Sequence, residues 1–330
     1  MRLPGFGRGP DLTPMLDPAS YPESWLYPMD DRWLHRFRQD VRRARKMGMR
    51  DKVFAKVGDS NLATYNAFYG LGCREPIWGE HQDLEPVMHR YREIELEPGT
   101  DIDITHSPRA GERRPWNSFT RCSAAAMMGI VAEQLMTPPE AMDELPHWWK
   151  EDDHRLPGEN ALETELRITR PLYALVLIGT NGQNYGRSPE QTVEALVELI
   201  GRVRELGPVP VVMTVPPSLN HEAVPTRWEF AEETARLMCL AAARARVPLL
   251  NQWLALTSGD LVNCGLVEQD GEIFDGFHLD TIGGFDRPGA LERSVDFRPE
   301  ALRYGMNHRN LLVLKVLQEL DSLTGTPDQE

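Results

Sequence analysis

No CxxC pair occurs in this chain, and its four cysteines, Cys73, Cys122, Cys239 and Cys264, stand far apart. They are too few and too scattered for a disulfide framework, and they offer no zinc knuckle. Cys239 falls in an apolar helical run and reads as a core residue. A Cys73–Cys122 bridge has nothing in the spacing to recommend it. Long apolar runs are missing as well: no stretch reaches the length of a transmembrane helix. The first residues, Met1-Arg2-Leu3-Pro4-Gly5, lack the apolar core of a signal peptide. The expectation is a cytoplasmic protein by default, or a secreted one if the true start lies upstream. Net positive charge is absent too. With 50 acidic against 36 basic residues the formal net charge is −14, which argues against nucleic acid or an anionic membrane as the main partner. No internal repeat is visible, and the nine histidines show no metal-ligand spacing.

What is present is an ordinary globular balance of 41% hydrophobic and 26% charged residues over 330 positions, enough for one large α/β domain with additions. Residues 1–28 hold six prolines and read as an irregular surface arm. A helix follows over about 30–48, with Trp33, Phe37, Val41 and Ala44 on one stripe and a basic opposite face. That face reads as a solvated surface in preference to an anion site. Arm and helix, residues 1–50, are expected to pack on a main domain spanning 51–330.

Val53–Val57 is β-prone and ends at Gly58, so it is the first strand, with a helix expected through about Tyr69. Residues 73–116 are polar and hide a second strand whose position the pattern does not reveal. A helix is expected at 121–136, then a proline-rich excursion over 137–160 containing Trp148-Trp149. From there helices at about 160–169, 189–206 and 227–246 alternate with strands Leu172–Ile178, Val209–Val215 and Val247–Leu250. Such alternation implies a parallel sheet with right-handed crossovers. Residues 299–322 read as a closing helix.

Three short stretches carry chemistry. Gly58-Asp59-Ser60-Asn61 and Gly179-Thr180-Asn181-Gly182 each follow an apolar run, where a strand hands over to the next element. Asp275-Gly276-Phe277-His278 lies near the end. A serine hydroxyl needs a base, and the base needs an orienting group. His278 can face Ser60 with one ring nitrogen and Asp275 with the other. The Ser60 N–H at a helix start and the Asn181 amide are candidate donors to a developing oxyanion. Taken singly, each stretch reads as a capped turn or a surface ion pair. Their order and flanks together favour a site.

On these residues the chain resembles the SGNH/GDSL hydrolase family. Gly58-Asp59-Ser60 looks like its nucleophile block, Gly179-Thr180-Asn181 like its oxyanion-asparagine block, and Asp275-Gly276-Phe277-His278 like its terminal Asp-x-x-His block. The strands Pro171–Ile178 and Pro210–Pro217, and Val247–Leu250 after them, continue the likeness over about 53–320. The resemblance implies a flavodoxin-like three-layer α/β/α sandwich with a parallel sheet. It implies hydrolysis of an ester, an acyl or acetyl group on a small molecule, lipid or carbohydrate. The catalytic residues would be Ser60, Asp275 and His278, and the oxyanion hole Ser60 and Asn181, with no metal and no cofactor. An acyltransferase on the same triad and a non-catalytic glycan- or protein-binding domain are the alternatives. The chain departs from the family in three places: Asn61 after the serine, Gly182 where an aspartate is usual, and no glycine in the candidate second block, Asn117–Ser123. There Arg121 or Cys122 is expected to supply the backbone donor, while the Arg121 side chain reads equally as a structural ion-pair partner. The absence of Gly-x-Ser-x-Gly argues against an α/β-hydrolase. Trp148-Trp149 reads either as packing under a loop or as a stacking surface for a sugar ring.

Overall fold

The computed structural model describes residues 30–64, 67–97, 99, 115–149, 151–219, 226–258, 261–266, 268–269, 272–273, 276–284 and 287–324. The arm expected over 1–28 and the aspartate of the terminal block, Asp275, lie outside the described residues.

The elements that place the site run α1 (Asp31–Lys46), β1 (Arg50–Gly58), α2 (Ser60–Ala63), α3 (Glu85–Arg92), α4 (Ala161–Thr169), β2 (Pro171–Leu177), α5 (Pro189–Leu206), β3 (Val209–Met213), α6 (Arg227–Ala245), β4 (Leu249–Leu250) and α7 (Gly305–Thr324). The strands form one parallel sheet in the order β1-β2-β3-β4. On the free edge of β1, Ala126 makes a parallel bridge to Gly58, with Gly58 N donating to Ala125 O at 2.8 Å and Met127 N to Gly58 O at 3.1 Å. A fifth, minimal strand thus precedes β1 in space although it follows it in the chain, which is the flavodoxin-like order.

Strand residues alternate between two cores, as the pleat requires. Tyr173, Leu175 and Leu177 join Phe54, Val211 and Met213 on one face, covered by α1, α3 and α7. Ala174, Val176 and Ile178 join Val57 and Val212 on the other, covered by α4, α5 and α6. Both faces are buried, so these strands read as continuous apolar runs. Each fully buried Leu or Val contributes about 1.5–3 kcal/mol through apolar area removed from water. The layers make a three-layer α/β/α sandwich.

Helix ends follow local chemistry. Asp30 caps α1 by accepting from Trp33 N at 2.7 Å. Asn160 with Glu163 and Ser188 with Gln191 form capping boxes at the starts of α4 and α5. Part of the basic face of α1 is tied into the structure, while Arg32, Arg42 and Lys46 are exposed. Arg36 and Arg43 flank the buried Asp40, to which Arg204 of α5 also bonds at 2.9 Å. Arg45 pairs with Asp51 at 2.8 Å.

Four expectations need correction. The second strand expected within 73–116 does not occur among the described residues of that stretch; the edge pairing lies at Ala126. The helix expected from Ser60 to about Tyr69 is two short pieces, Ser60–Ala63 and Tyr69–Cys73, separated by Phe68 at φ +72°. The helix expected over 121–136 exists only at Ala132–Met136. Buried polar anchors hold the preceding stretch off a helical path: Ser123 Oγ donates to Lys56 O at 2.6 Å and Ala124 N to Glu165 Oε2 at 2.9 Å. The closing helix starts at Gly305, after turns over 299–304. All four cysteines are free thiols, so Cys73 and Cys122 are not bridged. Burial pushes the Cys239 thiol up to about 12, as befits a core residue.

Candidate active site

β1 ends at Gly58, where the backbone passes so close to β2 that a Cβ would stand 1.9 Å from Leu177 O. Only glycine fits there. Asp59 then turns the chain: its N–H donates to Leu177 O at 3.1 Å, and its side chain caps α2 by accepting from Asn61 N at 3.0 Å. Its second oxygen accepts from Thr180 N at 3.3 Å, and Asn61 Nδ2 reaches Thr180 Oγ1 at 3.4 Å. One buried carboxylate therefore shapes the serine turn and ties it to the loop that carries Asn181. Burial pushes the Asp59 carboxyl up, opposed by the Asn61 and Thr180 donors and by the nearby His278.

Ser60 is the first residue of α2 and is almost fully buried. Its Oγ lies 2.8 Å from His278 Nε2, although 218 positions separate the two in the chain. The Phe277 ring packs on the imidazole with centroids 4.4 Å apart, and Arg227 lies over the Phe277 ring at 4.7 Å. No group among the described residues accepts a hydrogen bond from the Ser60 N–H.

Asn181 is 5% exposed, and its Nδ2 donates to Ile130 O at 3.1 Å. An amide nitrogen carries two N–H bonds, so this contact fixes the orientation of the group and leaves a second donor. Gly182, where the resembled family usually has an aspartate, has no room for one: a Cβ would stand 2.2 Å from Thr192 Oγ1.

The expected second block proves to be scaffold. Ser118 and Phe119 bond to Phe54 and Lys56 in the middle of β1. Arg121 is buried against Glu165, Nε to Oε1 at 3.0 Å and Nη2 to Oε2 at 3.0 Å, with Asp152 at 3.5 Å. The Glu165 and Asp152 carboxylates outweigh the effect of burial and raise its pKa. Cys122 Sγ sits 3.0 Å from Tyr69 OH. Residues 125–127 pair with Gly58 and Ile130 O accepts from the Asn181 amide, so Met128 and Gly129 lie between these two contacts. Neither Met128 N–H nor Gly129 N–H donates to any group among the described residues. Gly129, at φ +70°, lies outside the second block that the sequence suggested; a glycine inside a run otherwise read as helix was the available signal.

Two exposed aromatic residues meet at this turn. Tyr185 OH donates to Gly129 O at 3.0 Å, and Trp148 Cδ1 is 3.5 Å from where a Gly129 Cβ would lie. Trp148 is 54% and Tyr185 46% exposed, whereas Trp149 packs on the core. Trp149 therefore fits the packing reading, while Trp148 is left exposed with His147 against its ring.

Elsewhere, Glu75, Glu85 and His89 bring ligand atoms within 4.8 Å of one another on the surface, but Glu75 pairs with Arg92 at 2.9 Å and His89 with Glu85 at 3.6 Å. No helix among the described residues is long and apolar enough to cross a membrane.

No protein-family model matches the chain, and no curated protein matches it. Solved structures do. A peptidoglycan O-acetylesterase aligns at 9% identity over 89% of this chain and 99% of its own, with a TM-score of 0.47. A GDSL-like lipase from Bacteroides thetaiotaomicron aligns at 10% identity over 86% and 98%, with a TM-score of 0.42. A lipase/acylhydrolase from Enterococcus faecalis aligns at 13% identity over 59% and 74%, with a TM-score of 0.38. At these identities and TM-scores the alignments carry no chemistry over to this chain.

Proposed function

We propose that the chain is a serine ester hydrolase in which Ser60 is the nucleophile and His278 the general base. The observation that supports this most is the 2.8 Å separation of Ser60 Oγ and His278 Nε2 at the carboxyl edge of the parallel sheet. In this reading Ser60 Oγ passes its proton to His278 Nε2 and bonds to the ester carbonyl carbon. The carbonyl π electrons move to oxygen. The tetrahedral adduct collapses by breaking the bond to the alcohol oxygen, which takes the proton from the imidazolium. Water repeats the sequence on the acyl-enzyme and frees the acid. Asp275, three residues before His278, would hold the other ring nitrogen and set the tautomer.

The Ser60 N–H and the free half of the Asn181 amide would receive the oxyanion, and the Met128–Gly129 backbone borders the same spot. These donors gain most when charge appears on the substrate oxygen, so they act on the transition state. Exposed Trp148 and Tyr185 beside that turn favour an alcohol part that carries a ring, such as a sugar. An acyltransferase would use the same first half-reaction, with an acceptor alcohol in place of water. The test is hydrolysis of p-nitrophenyl esters of increasing chain length by the chain and by Ser60→Ala, with product analysis in the presence of added alcohols. Turnover by the intact chain and its loss in Ser60→Ala supports the reading; equal turnover by both overturns it.

A further inference from the structure

The first two turns of α7 carry three side chains with no exposure at all, Asn307, Arg309 and Asn310. Buried polar groups cost free energy unless they are partnered, so their partners show what they hold. Arg309 Nη1 donates to Asn61 O at 2.6 Å, one residue beyond Ser60, and its Nη2 to Met306 Sδ at 2.9 Å. Its guanidinium also lies over the Phe68 ring at 5.4 Å. Asn310 Oδ1 accepts from Phe68 N at 3.3 Å, holding a residue with positive φ. The same turns grip the other half of the site. Met306 N donates to Asp280 O at 2.8 Å, two residues beyond His278, and Asn307 Oδ1 accepts from Thr281 Oγ1 at 3.1 Å and Ile282 N at 3.2 Å.

A helix of four residues, such as α2, cannot hold itself, and its last carbonyls have no partner within it. Asp59 meets its N-terminal end and Arg309 a carbonyl at the other, so both charges lie as the helix dipole favours. Arg309 is an expensive residue for packing alone. Its Nε has no hydrogen-bond partner, and burial pulls its pKa down to about 9 despite the Asp59 charge. An apolar side chain of similar volume would fill the space without that cost.

We propose that Arg309 is a positioning residue for the Ser60–His278 pair. It anchors α2 to the same helical turn that anchors the histidine loop through Met306 and Asn307, and so fixes the separation of hydroxyl and imidazole. The inference rests on the serine–histidine reading above.

The test compares Arg309→Met and Arg309→Lys with the intact chain by steady-state kinetics on p-nitrophenyl acetate and by thermal melting. A misplacement of the nucleophile by about 1 Å costs on the order of 10²-fold in rate. Arg309→Met is therefore expected to lower kcat by about 10- to 100-fold, with KM within about three-fold and a melting temperature within a few degrees of that of the intact chain, because relief of the buried charge offsets the donor lost at Asn61 O. Arg309→Lys, which can still donate to Asn61 O, is expected to recover part of that loss. An unchanged kcat in Arg309→Met overturns the proposal. So does a loss of kcat that tracks unfolding and that lysine does not relieve. Should Arg309→Met fail to fold, Arg309→Lys decides: a lower kcat at constant KM supports the role, and an unchanged kcat overturns it. If the intact chain hydrolyses no ester and reacts with no fluorophosphonate, the ester-hydrolase reading itself fails. An active intact chain matched by Arg309→Met removes Arg309 alone.

Discussion

Asn181→Ala separates a catalytic donor from a loop brace, because the structure assigns a cost to each role. The Asn181 amide is nearly buried and bonds to Ile130 O at 3.1 Å. Truncation leaves that carbonyl without its donor, a penalty of about 1–3 kcal/mol. In a domain of this size that lowers the melting temperature by a few degrees, at roughly 2–4 °C per kcal/mol. In the proposed reading the second N–H of the amide acts only when the oxyanion forms. Its removal is expected to lower kcat by about 10²- to 10³-fold while KM changes little. Asn181→Asp should be at least as slow, since it sets a negative charge against the oxyanion and against Ile130 O. Kinetics and melting curves are measured on the same preparations. A few degrees of destabilisation with kcat within a few-fold of the intact chain would show that Asn181 only shapes the loop, and the oxyanion assignment would be withdrawn.

Lys56 in β1 is fully buried, donates to Phe119 O at 3.0 Å and lies 4.2 Å over the Tyr69 ring, and burial lowers its pKa from 10.5 to about 8. That drop is about 3 kcal/mol of cost to keeping the charge below pH 8. Between about 8 and 10.5 the unfolded chain holds a proton that the folded chain has lost, so this group makes stability rise with pH across that window. Lys56→Met removes that cost but leaves Phe119 O without its donor, a penalty of about 1–3 kcal/mol, so its stability relative to the intact chain should rise as pH falls from about 10 to 7. Urea titrations at both pH values check this, and a relative stability that does not rise from about pH 10 to about pH 7 contradicts it. Trp148→Ala should raise KM for sugar acetates by about 2- to 10-fold, the range for one aromatic contact, and leave vinyl acetate unchanged. Equal effects on both esters would remove the stacking role. Gly182→Asp, which restores the residue usual in the resembled family, should lower the melting temperature, because its Cβ meets Thr192 Oγ1 at 2.2 Å; a melting temperature equal to that of the intact chain would show that the loop yields without cost.

The central sheet was legible because parallel strands covered on both faces leave continuous apolar runs, such as Leu172–Ile178. Helix α5 was legible to the residue, since Ser188 and Gln191 mark its start and Gly207 its end. The edge strand was not, because it is one bridge at Ala126 inside a run of small residues that reads as helix. Arg121 could be read as donor or scaffold because its partner Glu165 lies 44 residues away. The brace at Asn307, Arg309 and Asn310 left no mark either. Polar residues on a closing helix look like a solvent face until the fold shows them at nil exposure. Ser60 and Asn181 were legible as types at strand ends and His278 as part of an Asp-x-x-His pair; what pattern alone does not contain is the 2.8 Å that joins the first to the last.

The most direct measurement is reaction of the intact chain with a fluorophosphonate, followed by peptide mass mapping of the modified side chain. A serine is modified by such a reagent when a neighbouring base raises its nucleophilicity. One adduct on Ser60 is expected, absent in Ser60→Ala and formed far more slowly in His278→Ala. An adduct on another serine, or labelling of Ser60→Ala at the rate of the intact chain, would contradict the account.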